Sequence, residues 1–89
     1  MEKPLISIII PVYNVKAHIE NCVYSILDQS YEQFEIILVD DGSTDGSSEI
    51  CDQLSQKSSN IQVIHKENSG VSRARNTGLD AAQGEFIIF

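Results

Sequence analysis

The sequence is poor in positive charge. Six lysines and arginines stand against thirteen aspartates and glutamates, for a formal net charge of −7. No basic stripe forms, which argues against general affinity for nucleic acid. With only two prolines and 42% hydrophobic residues, the composition speaks for a globular fold over disorder. The two cysteines, Cys22 and Cys51, have no CxxC neighbour, so neither a disulfide framework nor a thiolate metal site is indicated. They read as free, buried thiols in a reducing cytoplasm. No apolar run reaches the ~18 residues of a membrane span. The short run in MEKPLISIII lacks a small-residue cleavage site, so a signal peptide is not expected. Neither GxGxxG nor GxxxxGK[ST] occurs, which removes the fingerprints of dinucleotide-binding and P-loop folds.

What remains is one small domain of 89 residues. Its charge is uneven. Residues 1–56 carry ten of the thirteen acids against Lys3 and Lys16, whereas residues 57–89 carry three acids against Lys57, Lys66, Arg73 and Arg75. An anionic ligand would look to the C-terminal third.

Leu5–Pro11 is a β-branched run closed by proline, which suits a strand buried on both faces. Asn14 can cap a helix over Lys16–Gln29, whose apolar face is Ile19, Cys22, Val23, Ile26 and Leu27. Phe34–Val39 is a second buried strand. Thr44 or Asp45 can cap the next helix, whose inner face is Ile50, Cys51 and Leu54. Ile61–His65 is a third, shorter strand. Ser69 or Gly70 opens a third helix with Val71, Ala74, Arg75, Gly78, Leu79 and Ala82 on one face and Gly84 as its C-terminal cap. Residues 85–89 begin a fourth strand. This β-α-β-α-β-α-β alternation predicts a parallel sheet with right-handed crossovers and helices on its faces. Ending on Ile87, Ile88 and Phe89, the sequence reads as a piece of a longer protein.

Ligands of open α/β sheets collect at the carboxyl ends of the strands. Three such ends carry polar or aromatic groups: Pro11-Val12-Tyr13-Asn14, Asp40-Asp41-Gly42-Ser43 and Glu67-Asn68-Ser69-Gly70. Tyr13 can pack over the helix below it or serve as a platform for a flat base. Asp40 and Asp41 can form a solvated turn, or accept hydrogen bonds from a base N–H or a ribose hydroxyl. Asp45 reads as a helix cap or first-turn acid. Arg75 shares the apolar face of its helix and can reach a phosphate or carboxylate, whereas Arg73 reads as surface charge. His18 and His65 have no partner at metal-ligand spacing and read as structural. Ser43, Ser69 and Ser72 have no nearby histidine base, which argues against a nucleophilic serine. Asp41 to Asp52 nearly fits a calcium loop, but a strand precedes it and Asp52 stands where the bidentate glutamate belongs.

Taken together, SIIIPVYN, SILDQSYEQFEIILVDDGSTDGS and NSGVSRARNTGLDAAQGEFIIF strongly resemble the start of family 2 glycosyltransferases of the GT-A fold. The resemblance runs from Ser7 to Phe89, with three motifs in the right order and spacing. It implies a Rossmann-like half of that fold, a three-layer α/β/α arrangement of about four parallel strands in the order 3-2-1-4, cut after the fourth. It implies transfer of a sugar from a nucleotide-sugar donor, usually a UDP-sugar, to an acceptor hydroxyl with inversion, in bacterial polysaccharide or glycoconjugate synthesis. By position, Tyr13 would stack on the base, Pro11 and Val12 would line its pocket, and Asp41 would accept the base N–H. Asp40 would support the pocket or contact the ribose, and Gly70 and Arg75 would border the nucleotide. Asn76 and Gly78 would serve helix packing.

The family's DxD-type acids, which hold a Mn or Mg ion on the donor diphosphate, would follow residue 89, as would the general base. The 89 residues are therefore expected to hold a nucleotide-recognition half without transfer activity. The competing class is a flavodoxin-like signalling or nucleotide-binding module such as a receiver domain, but receivers place their acid pair after the first strand. A sheet cut at its fourth strand would expose an edge and favour self-association. The expected location is cytoplasmic, peripheral to the inner membrane face in the whole protein.

Overall fold

The computed structural model describes residues 5–29, 33–84 and 86–88. Four strands, β1 (Ile6–Val12), β2 (Phe34–Asp41), β3 (Ile61–Lys66) and β4 (Phe86–Ile88), form one parallel sheet in the order β3-β2-β1-β4. Helices α1 (Ile19–Leu27), α2 (Ser47–Lys57) and α3 (Val71–Ala81) make the crossovers. Of the fourth strand expected over 85–89, residues 85 and 89 lie outside the described residues.

Side chains alternate across a strand, so the apolar runs of β1 and β2 feed two cores. Val12, Ile36 and Leu38 pack with Ile19 and Val23 of α1 and with Cys51 and Leu54 of α2. On the opposite face Ile9, Ile37 and Val39 pack with Ala74 of α3. The sheet is thus covered by α1 and α2 on one side and α3 on the other, which gives three layers.

Several expectations need correction. Helix α1 starts at Ile19, not Lys16, because the chain first makes a turn in which the His18 and Ile19 amides donate to the Val15 carbonyl. Its cap position is His18, without a side-chain cap bond, so Asn14 does not cap it. Cys22 is exposed and only Cys51 is buried, though both are free. The α3 face is narrower than the periodicity suggests: Ala74 and Gly78 are buried, but Val71 and Leu79 are exposed and Arg75 lies on the exposed side. Small residues bring α3 close to the sheet, and a β-carbon at Gly78 would collide with the Ile9 side chain.

Gly84 is likewise not the cap of α3, a position held by Ala82. Its amide donates to Ser7 Oγ at 2.8 Å, and a β-carbon there would lie 2.7 Å from the Ser7 amide nitrogen. Ser7 in turn donates to Glu35 at 2.5 Å, and the Gln83 amide donates to Glu35 at 2.7 Å. This polar knot locks the α3–β4 link across β1 and β2. Among the described residues no helix is long and apolar enough to cross a membrane.

Candidate nucleotide-binding cleft

Parallel pairing aligns the carboxyl ends of β1, β2 and β3. Val12 pairs with Asp40, and Asp41 with Lys66. The segments leaving these ends enclose a cleft of about 280 Å³, lined by Pro11, Val12, Tyr13, Val15, Asp41, Asn68, Gly70 and Val71. Five of the seven residues singled out from sequence (Pro11, Val12, Tyr13, Asp41 and Gly70) meet there. Asp40 and Arg75 are not among the lining residues.

Tyr13 is half exposed, leaving its ring available at the cleft. The turn behind it is held by the stretch after β2. Asn14 adopts φ 51°, a left-handed conformation that asparagine tolerates better than most residues. Its side-chain Oδ1 accepts the Thr44 amide at 2.8 Å, and its own amide donates to Ser43 Oγ at 3.2 Å. The Val15 amide donates to Ser47 Oγ at 3.1 Å, and the Lys16 amide to Asp45 Oδ2 at 3.1 Å. Asp45 Oδ1 accepts the Ser47 amide at 3.0 Å and the Ser47 hydroxyl at 2.6 Å. The formal cap of α2 is Gly46, yet Asp45 satisfies a first-turn amide, the role its sequence position suggests. The acid-rich stretch is therefore a scaffold for the Tyr13 turn. Asn14→Ala, which removes the Thr44 bond and leaves a left-handed alanine, is expected to cost about 1–2 kcal/mol in denaturant unfolding. An unchanged midpoint would contradict the scaffold.

Both strand-end acids are covered, and they face opposite ways. β2 continues two residues past its expected end, so Asp40 and Asp41 sit in the strand, 2% and 3% exposed. Asp41 points to the cleft side. Its Oδ1 accepts Lys66 Nζ at 3.0 Å and the Ser69 amide at 2.9 Å, and its Oδ2 accepts the Gly70 amide at 3.0 Å. Asn68 Nδ2 donates to the Asp41 carbonyl at 3.0 Å, and Lys66 also bonds Ser69 Oγ and the Glu67 carbonyl. Asp41 thereby fixes the whole β3–α3 loop. Gly42, at φ 75°, lets that loop approach: a β-carbon there would lie 2.7 Å from the Asn68 amide nitrogen.

Asp40 points toward α2. Its Oδ1 accepts the Ser43 amide at 3.0 Å, and its Oδ2 accepts the Ser48 hydroxyl and faces His65 Nδ1 at 2.8 Å. From sequence His65 has no partner at metal-ligand spacing and reads as structural; Asp40 and Asp52 reach it through the β2–β3 register and the docking of α2. Lys66, Asn68 and Val71 were also missed as site residues. Asn68 had the signal of membership in the third strand-end segment, whereas Lys66 and Val71 only flank it.

Burial alone would raise the Asp41 pKa, but the Lys66 bond and the Ser69 and Gly70 amides outweigh it and the net direction is down. Burial likewise opposes the Asp40 shift, and bonds from Ser48, Ser43 and His65 turn it downward. For Asp45 the Ser47 hydroxyl bond dominates and lowers the pKa. Groups with lowered native pKa values contribute stability above their unfolded value, 3.8, and lose it as pH falls through the native values. The denaturant midpoint should therefore hold down to about pH 4 and fall below it. A midpoint still flat at about pH 2 would contradict these bonds.

The same bonds test a metal at this place. A cation on Asp41 would have to displace an ammonium and two amide donors, and Asp40 is wrapped by a hydroxyl, an amide and an imidazole. Among the described residues no group of three or more His, Cys, Asp or Glu is placed to hold a metal ion. The pair does not fit a divalent metal, and the calcium-loop spacing has no structural counterpart.

Comparison with known proteins finds a family and several relatives. The model of Glycosyl transferase family 2 matches residues 7–89. The uncharacterized glycosyltransferase EpsJ of Bacillus subtilis is 50% identical over 86 residues, 97% of this chain and 25% of EpsJ. The putative teichuronic acid biosynthesis glycosyltransferase TuaG of the same organism is 47% identical, over 98% of this chain and 35% of TuaG. Among solved structures, Staphylococcus aureus TarS 1-349 in complex with UDP superposes with a TM-score of 0.86 at 34% identity, covering 96% of this chain and 26% of TarS. The mannosyltransferase PcManGT from Pyrobaculum calidifontis, in complex with GDP-Man and Mn2+, gives 0.89 at 28% identity, covering 98% and 27%. The chain thus spans about a quarter of EpsJ and of both solved proteins.

Proposed function

This chain belongs to glycosyl transferase family 2, and from that premise we propose that its strand-end cleft holds the nucleotide of a sugar donor, with a uridine diphosphate sugar as the donor class. The observation that carries the proposal is the convergence of Tyr13, Asp41 and the Asn68–Val71 segment on one cleft. Tyr13 offers a stacking face. Asp41 Oδ1 already accepts from Lys66 and Ser69, so a base N–H falls to Oδ2, beside the Gly70 amide. Asp40 supports the cleft from beneath, and Arg75 stays outside the assignment. The UDP bound to TarS supports the choice of base.

For the whole protein we propose an inverting transfer to an acceptor hydroxyl in the synthesis of a bacterial polysaccharide or glycoconjugate, at the cytoplasmic side of the membrane. The Mn2+ of PcManGT supports a divalent metal on the donor diphosphate. Asp40 and Asp41 are not its ligands, and no step is assigned through it. The metal-holding acids and the general base are other residues of the whole protein, and the 89-residue chain binds donor without turning it over. Calorimetric titration with UDP, GDP, ADP and UDP-sugars tests the cleft. Tighter binding of the uridine compounds is expected, and equal or absent binding of all of them would sink the assignment.

A further inference from the structure

His65 stands between two carboxylates. Its Nδ1 is 2.8 Å from Asp40 Oδ2 on β2, and its Nε2 is 2.7 Å from Asp52 Oδ1 on α2. An ionised carboxylate only accepts hydrogen bonds, and a neutral imidazole has one N–H to give. A neutral ring would leave a nitrogen lone pair facing a carboxylate oxygen at hydrogen-bond distance. Only the imidazolium donates both ways. Asp40 and His65 are register partners across β2 and β3, as Asp41 and Lys66 are one residue on. The end of β2 is thus held by two basic side chains on opposite faces: Lys66 toward the cleft, and His65 toward α2.

We propose that His65 is a positioning residue for the nucleotide cleft: as an imidazolium it clamps β2, β3 and α2 together beneath Asp41, and loss of its proton loosens the cleft and weakens nucleotide-sugar binding. This rests on the nucleotide-binding reading above. The groups bonded to His65 are Asp40 from β2 and Asp52 from α2; Ser48 of α2 bonds the same Asp40 oxygen, and Cys51 of α2 feels the charge of both acids. On its own strand Lys66 turns away to Asp41, and Glu67 is exposed in the loop beyond. Burial and the two acids push the Cys51 thiol up to about 12, so it stays neutral. The Asp52 bond, followed by the Asp40 bond, raises the His65 pKa against the effect of burial. The clamp is therefore intact below the ordinary value of 6.5 and is lost as pH rises through the higher native value. On deprotonation, two acids share a site with no cation between them, next to the strand end that carries Asp41.

The test follows UDP-glucose affinity between about pH 6 and about pH 8.5, a range in which its diphosphate diester does not titrate. The His65 ring is titrated by NMR in parallel. Wild-type affinity should fall about three- to tenfold across the range, with its inflection at the ring's own pKa. His65→Gln should bind weakly with a flat profile. Asp52→Asn alters an exposed side chain and spares the fold, and it should move the inflection to lower pH. His18, the other histidine, is intact in every variant. A wild-type profile that stays flat, a profile unchanged in His65→Gln, or a ring that titrates at or below about 6.5 overturns the proposal. If no variant binds at any pH, the nucleotide reading fails. The clamp is then decided by whether the Asp41, Ser69 and Gly70 amide shifts follow the His65 titration.

Discussion

Replacing Asp41 with alanine should cost the fold about 2–3 kcal/mol and remove measurable nucleotide binding. The carboxylate is the common acceptor for Lys66 and for the Ser69 and Gly70 amides, so its removal orphans three donors at once. Breaking a deeply buried pair costs about 3–5 kcal/mol. Here the cover is thin: Asp41 is scarcely accessible, yet only the β3–α3 loop lies over it, and Lys66 can swing to water. That places the cost at or below the bottom of that range. Binding suffers more than stability, because the freed loop carries Asn68 and Gly70 of the cleft and leads into Val71. Asp41→Asn keeps an acceptor for one amide but loses the charge facing Lys66, and should fall between wild type and alanine. Denaturant unfolding and calorimetry check both effects. A loss under about 0.5 kcal/mol would contradict the bonding described.

Tyr13→Ala should weaken binding of a uridine nucleotide by about 5- to 150-fold, the worth of one base–aromatic stack. Stability should hardly change, because the side chain is half exposed and its turn is fastened through Asn14, Val15 and Lys16. Tyr13→Phe keeps the face and should stay within about twofold of wild type. This contrast separates stacking from a hydroxyl contact. Equal affinities for all three proteins would leave Tyr13 as a packing residue.

Much of this was legible in the sequence because it depends on local pattern. The apolar runs of β1 and β2 announce strands covered on both faces, and the strand–helix alternation announces the parallel sheet. Parallel strands place their ends together, so the three strand-end segments could be joined into one cleft before any distance was known. Long-range geometry was not legible. Asn14 looks like a helix cap by position, but its partner is Thr44, thirty residues away. Val71 and Leu79 keep helical spacing, yet the close approach at Gly78 narrows the buried stripe and leaves both exposed. Asp40 and Asp41 look like one paired feature, but strand alternation sends them to opposite faces, one toward α2 and one toward the cleft. His65 looks isolated in sequence because both its partners come from other elements.

Tyr13, Asp41 and the Asn68–Val71 segment are proposed to form one nucleotide site. Chemical-shift mapping of the isotopically labelled chain during UDP titration tests it most directly. Saturable shifts are expected at Tyr13, Asp41, Asn68, Gly70 and Val71, with little change at the open hollow formed by Tyr24, Ser25, Leu27 and Asp28. Shifts centred on that hollow, or none at the strand ends, would contradict it.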